Sequence, residues 1–229
     1  MKRILTIIAV VAIGLVFFTS CETSIEENGV GKHKGHEYVD LGLPSGLKWA
    51  TCNVGADTPE EYGGYFAWGE VKSKEYYDWS TYKYGVEANK LTKYCDNSNF
   101  GDNGFADNKT VLASEDDAAA ANWGGKWRMP TAAEQDELRN NCTWTWTTQN
   151  GVNGYKVTGP NGNSIFLPAA GTILSDELQA VEEGCFYWSS SLVTGDHPGG
   201  AYGILFDSSY VDSFPFQRCY GFSVRPVCP

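Results

Sequence analysis

The chain has 229 residues and carries 28 Asp and Glu against 17 Lys and Arg, a formal net charge of −11. So acidic a balance argues against nucleic acid or anionic lipid headgroups as partners. With 42% hydrophobic residues and eight tryptophans it is a globular chain with a core to fill, not a disordered one.

The first element is a leader. Met1, Lys2 and Arg3 are followed by an almost unbroken apolar run from Ile4 to Phe18, the pattern of a signal peptide. The run is shorter than the ~20 residues a spanning helix needs. Phe18-Thr19-Ser20-Cys21 resembles the bacterial lipoprotein box, in which small residues precede a cysteine that receives a diacylglycerol thioether and an N-acyl chain. The expectation is therefore cleavage after residue 20, lipidation of Cys21 and anchoring in a bacterial cell envelope, with the outer membrane as the expected site. Several acyl chains hold a protein far more firmly than one. The alternative is an ordinary secreted protein in which Cys21 is incidental.

If Cys21 carries lipid, six cysteines remain: Cys52, Cys95, Cys142, Cys185, Cys219 and Cys228. An oxidising destination favours disulfides, and six cysteines permit 15 connectivities. One pairing, Cys52 with Cys228, is expected if the first and last strands of the domain are neighbours. No Cys-x-x-Cys occurs, which disfavours a structural zinc site.

Residues 21–35, rich in acids, Gly and Asn, read as a flexible tether, and the domain is placed at 36–229. Glu37–Leu41 and Leu47–Thr51 flank Pro44-Ser45-Gly46 and predict a hairpin. Tyr155–Thr158 and Ser164–Leu167 flank Gly159-Pro160-Asn161-Gly162 and predict a second. Trp144 and Trp146 alternate with threonines as on a half-buried strand. Two short helices are expected, after Ser114-Glu115-Asp116-Asp117 and after Thr131-Ala132-Ala133-Glu134, both matching the Ser/Thr-x-x-acid start. Strands are also predicted at Tyr187–Ser190, Ala201–Phe206 and Phe222–Val227. The fold class is α+β, strand-rich, with long loops.

Five segments occur in order: Tyr38–Ala50 (YVDLGLPSGLKWA), Gly64–Glu70 (GYFAWGE), Asn122–Thr131 (NWGGKWRMPT), Tyr187–Ser190 (YWSS) and Gly221–Val227 (GFSVRPV). Together they resemble the Fibrobacter succinogenes major paralogous domain family, abundant among lipoproteins of the Bacteroidales and related to the C-terminal domain of the Legionella collagen-like adhesin. The resemblance covers nearly the whole chain beyond the leader and implies a C-type-lectin-like fold, but no established activity. Of the motif residues, Trp49, Trp68, Trp127, Pro130 and Trp188 suit core and turn roles. Arg128 and Arg225 are expected to pair with acids or carbonyls inside the domain.

Catalysis has little to draw on. His33 and His36 fall at the tether, leaving His197 in the domain body, and Gly221–Arg225 lacks the second glycine of a nucleophile elbow. Asp116-Asp117 and Glu182-Glu183 are adjacent acids whose spacing does not set a glycosidase separation. The formylglycine-generating enzymes share a C-type-lectin-like fold, but their catalytic cysteine pair does not align here. No cofactor is expected. Calcium is the secondary reading, at Asp96, Asn97, Asp102, Asn103, Asp107 and Asn108, although Asp and Asn are equally turn residues.

Two ligand-binding candidates stand out. Tyr76, Tyr77, Trp79, Tyr82 and Tyr84 crowd a polar segment, as rings that stack on sugars or anchor a partner do, or as rings that fill a core. Asp196, His197, Asp207, Asp212 and Phe214 occupy residues 194–216, the long-loop position that C-type-lectin-like domains use for ligands. The expected function is non-catalytic recognition of a glycan or protein partner. A structural or adhesive subunit of a surface assembly is the alternative, and an enzyme the distant third.

Overall fold

In chain order the strands are β1 (Val30–His33), β2 (His36–Asp40), β3 (Lys48–Ala50), β4 (Thr143–Gln149), β5 (Val152–Thr158), β6 (Ser164–Pro168), β7 (Thr172–Leu174), β8 (Glu177–Gln179), β9 (Gly184–Leu192), β10 (Gly200–Asp207), β11 (Val211–Gln217) and β12 (Val227–Cys228). The helices are α1 (Ala118–Trp123) and α2 (Ala132–Asn141). The structure is a computed structural model that describes residues 29–229. The leader, the Cys21 lipidation site and Glu22–Glu27 lie outside the described residues.

Pairing follows the turn chemistry. The Pro44-Ser45-Gly46 turn, with Gly46 at φ +72°, brings β2 and β3 together in antiparallel register, and Gly162 at φ +87° does the same for β5 and β6. One sheet runs β1-β2-β3-β12, so the chain's last strand lies against its third. Two three-stranded sheets run β11-β10-β9 and β4-β5-β6, and β7-β8 is a small hairpin. The domain is thus strand-rich α+β. Between β3 and α1 the chain makes isolated bridges, such as Phe66↔Phe222 and Tyr77↔Ser175, rather than ladders. In 222–226, expected as strand, only Phe222 and Ser223 make bridges before β12 begins. Among the described residues no helix is long and apolar enough to cross a membrane.

β9 divides two cores. Because side chains alternate along a strand, Cys185 and Tyr187 enter a cluster with Leu41, Trp49, Val157, Ile204 and Phe206. Phe186 and Trp188 enter the other, with Trp68, Tyr77, Tyr94 and Phe222. Trp188 stacks on Phe222 with centroids 4.2 Å apart, an arrangement worth about 1 kcal/mol beyond area burial. The two indoles also exchange support: Trp68 Nε1 donates to Ser189 O and Trp188 Nε1 to Phe66 O, both at 2.8 Å.

The motif residues are placed inside. Trp49, Trp68, Trp127 and Trp188 are fully buried, and Pro130 O accepts from Ser190 N at 2.7 Å. Arg128 forms a bidentate pair with Glu134 at 2.6 and 2.7 Å. Thr131 and Glu134 form a capping box at the start of α2. At α1 the cap differs from the expectation. Ser114–Asp116 is a 3₁₀ turn, and Asp117 is the cap, accepting from Ala119 N and Ala120 N at 2.9 Å. Its second oxygen accepts from Met129 N at 2.8 Å.

Two further expectations are corrected. The tether does not extend to residue 35, because β1 pairs with β2 and His33 O accepts from Trp127 Nε1 at 2.8 Å. Such contacts order the chain from Gly29. No disulfide forms among the described residues: all six cysteines are free thiols. The strands meant to bring Cys52 to Cys228 are indeed neighbours, but the antiparallel register sets Cys228 opposite Lys48. Cys52 lies four residues beyond Lys48, past the end of β3, and the two cysteines do not pair.

Candidate functional site

The aromatic segment is mostly interior. Tyr77 and Tyr82 are 1% and 5% exposed and Tyr84 is buried, so they are core residues and not ligand contacts. Tyr77 Oη donates to Tyr65 O at 2.5 Å and Tyr82 Oη to Trp68 O at 2.9 Å. Tyr84 Oη and Tyr94 Oη both donate to the buried Asp116 carboxylate, which Lys83 and Lys93 also contact. Burial alone would raise the Asp116 pKa, but these bonds outweigh it and hold the carboxyl well below the usual range. Tyr76 remains exposed. Trp79 is half-buried, edge-on to Tyr82 at 5.3 Å and so close to Gly199 that a Cβ there would meet its ring at 2.5 Å.

The 194–216 candidates divide. Asp196 and His197 are exposed at the rim of a hollow of about 200 Å³ that includes Pro198, Pro215 and Phe216. Trp79 braces this loop through Gly199, so one member of each candidate group meets here. Asp212 and Phe214 lie elsewhere, because 200–217 is the β10-β11 hairpin and not a long loop. Arg139 Nη1 holds Asp212 at 3.1 Å, Phe214 packs edge-on to Phe216, and Asp207 closes the hairpin turn by accepting from Ser209 N at 2.7 Å. In the expected calcium stretch the oxygens serve the backbone: Asp107 accepts from Tyr94 N and Cys95 N, Asn97 from Asn99 N and Asp96 from Gly195 N. Among the described residues no three His, Cys, Asp or Glu side chains converge as a metal site.

One concave surface escaped the sequence reading. Two hollows, of about 310 and 590 Å³, share a wall made by His36 and Trp123. These rings stack face to face, 3.8 Å apart and 4° from parallel, and Trp127 meets Trp123 edge-on at 5.0 Å. The smaller hollow is lined by Lys32, Glu37, Thr51, Cys52 and Asp57, the larger by Lys72, Ser73 and Asn122 beside Gly55, Gly63 and Gly64. Gly64 keeps the larger one open: a Cβ there would lie 2.8 Å from Ser73 Oγ and 2.9 Å from the Phe66 ring. Burial lowers the His36 pKa from its ordinary 6.5, so the ring facing the groove is neutral at neutral pH. Trp123 stood in a motif read as architecture and His36 at the end of the supposed tether.

Half-exposed aromatic faces with hydroxyl, amide and charged groups on both sides suit a ring with an apolar face and a polar edge. No family model matches the chain, and neither a curated protein nor a solved structure is similar to it.

Proposed function

We propose that the chain is an envelope lipoprotein whose domain, C-type-lectin-like and of the major paralogous domain family its motifs resemble, binds a glycan without altering it. The observation that carries the glycan reading is the His36–Trp123 stack at the junction of two open, polar-rimmed hollows. A pyranose presents C–H groups to an aromatic face and hydroxyls to its surroundings, and this wall offers both kinds of contact. Pre-formed aromatic anchors also lose little side-chain entropy on binding.

The test has two stages. The Cys21→Ser chain is expected to leave the membrane fraction and become soluble, since the anchoring thioether cannot form. That chain, applied to a glycan array, is expected to bind a subset of glycans. Trp123→Ala should weaken binding by about tenfold or more, the loss of one stacking contact and its area; because Trp123 also packs against His36 and Trp127, a thermal melt checks that the variant is folded at the assay temperature. Glycan binding that survives Trp123→Ala unchanged rejects this groove, and a protein that stays with membranes as Cys21→Ser rejects the lipid anchor.

A further inference from the structure

We infer that the ligand of the His36–Trp123 groove is an acidic, carboxylate-bearing sugar; this rests on the glycan reading above. In a chain with 28 acids and 17 bases most lysines should find a partner, and among the described residues Lys32, Lys48, Lys74, Lys83, Lys90 and Lys93 do. Lys34, Lys72, Lys109, Lys126 and Lys156 form no such pair. Three of these five, Lys34, Lys72 and Lys126, lie in or next to the stretches that build the aromatic wall. Lys72 lines the larger hollow. Lys34 and Lys126 meet at the β1-β2 turn, where Lys126 N donates to His33 Nε2 at 2.9 Å and a Cβ on Gly125 would touch both His33 and Lys34. That turn leads through Gly35 directly into His36.

The opposing charges on the wall are few. Glu37 and Asp57 line the smaller hollow, and Glu37 is occupied by Lys32 at 3.1 Å. Asp57 has no lysine partner, and Glu61, whose Oε2 accepts from Asp57 N at 2.7 Å, adjoins it; these two acids stand against three lysines without an acid. A local excess of positive charge on an acidic molecule focuses anionic ligands onto that spot. It also opposes the general repulsion that the rest of the surface exerts on them. Stacking sets the sugar ring on the wall, and the lysines are placed to meet a carboxylate at its edge as point charges.

The experiment titrates the Cys21→Ser chain with oligosaccharides containing galacturonate, glucuronate or sialate, each beside its neutral methyl ester, and with phosphatidylglycerol vesicles. At least one acid is expected to bind about tenfold more tightly than its ester at low salt, with the advantage shrinking as salt screens the charges. Lys72→Ala with Lys126→Ala should remove that advantage, so that acid and ester bind alike, whereas Trp123→Ala should weaken both forms and keep the acid's advantage. Equal binding of every acid and its ester overturns the charge inference but keeps the glycan reading. Binding to the vesicles alone overturns the inference in favour of a lipid surface. Binding to none of the probes by a chain that does bind neutral array glycans overturns it as well.

Discussion

Asp116→Asn is expected to lower the stability of the domain by about 3–5 kcal/mol, the cost of removing one partner from a buried charged network. The side chain is 3% exposed and receives Tyr84 Oη, Tyr94 Oη, Lys83 Nζ and Lys93 Nζ. Tyr94 Oη in turn accepts from Ala113 N at 3.0 Å. These bonds fasten residues 83–94, which have no ladder of their own, to the 3₁₀ turn before α1. An asparagine amide keeps the shape but removes the charge and turns a donor toward donors. For a domain of this size the melting temperature should fall by about 10 °C.

The pH dependence gives a second readout of the same bonds. A carboxyl whose pKa is depressed on folding contributes stability that is present above its unfolded value, about 3.9, and is lost as pH falls through the folded one. The parent chain should therefore lose stability below pH ~4, and Asp116→Asn should lose much less there. At the alkaline end, the Asp116 bond raises Lys93, and burial with that bond pushes Tyr94 up to about 12. Both groups hold their protons longer folded than unfolded, so stability falls as pH rises past about 10. Thermal melts of both proteins across pH 2–11 check both limbs. Parallel curves for parent and variant would contradict this account of the network.

Arg225→Met is expected to cost about as much, ~3–5 kcal/mol, and Arg218→Met far less. Both guanidinium groups are fully buried and neither has a carboxylate partner. Arg225 is satisfied all round: Nε donates to Asn53 Oδ1 at 2.9 Å, Nη1 to Ala50 O and Thr51 O at 3.0 and 2.5 Å, and Nη2 to Phe166 O at 2.9 Å. It ties the β3 end of the first sheet to β6. Methionine would fill the space and strand those acceptors. Arg218 reaches Tyr94 O at 3.1 Å and Lys93 O at 3.4 Å through Nη1, while its Nε and Nη2 have no hydrogen-bond partner. Its compensation is the aromatic faces of Trp68 and Tyr82, 5.5 and 5.8 Å away, worth about 1–2 kcal/mol. Removing a half-satisfied buried charge also removes its desolvation cost, so Arg218→Met should change stability by under ~1.5 kcal/mol. Urea midpoints decide it, and equal losses for the two variants would contradict the argument.

Local chemistry explains what was readable in advance. The Pro44-Ser45-Gly46 and Gly159–Gly162 turns and the Thr131/Glu134 capping box are encoded within a few residues, and each stands where the spacing put it. The α1 cap was harder, since Ser114, Asp116 and Asp117 all suit a helix start and the choice is made by Met129, twelve residues on. Between β3 and α1 no period of 2 or 3.6 exists to be found. Tyr77, Tyr82 and Tyr84 are buried by partners such as Tyr65, Trp68 and Asp116, distances that a pattern search does not span. The groove is less readable still. Its wall collects residues from 32–37, 51–57, 63–73 and 122–123, four stretches that only the tertiary fold brings together. Trp49, Trp188 and Arg225, by contrast, sit in motifs dense with aromatics and glycine, where burial was the natural expectation.

The pairing of β3 with Val227–Cys228 has a consequence for how the molecule comes into being. A nascent chain made only as far as residue 220 has β1, β2 and β3 but no strand to lie along β3, and it lacks Arg225 to bind the carbonyls of Ala50, Thr51 and Phe166. The first sheet stays incomplete at the β3 edge until Val227 and Cys228, which pair with Trp49 and Lys48, have been made.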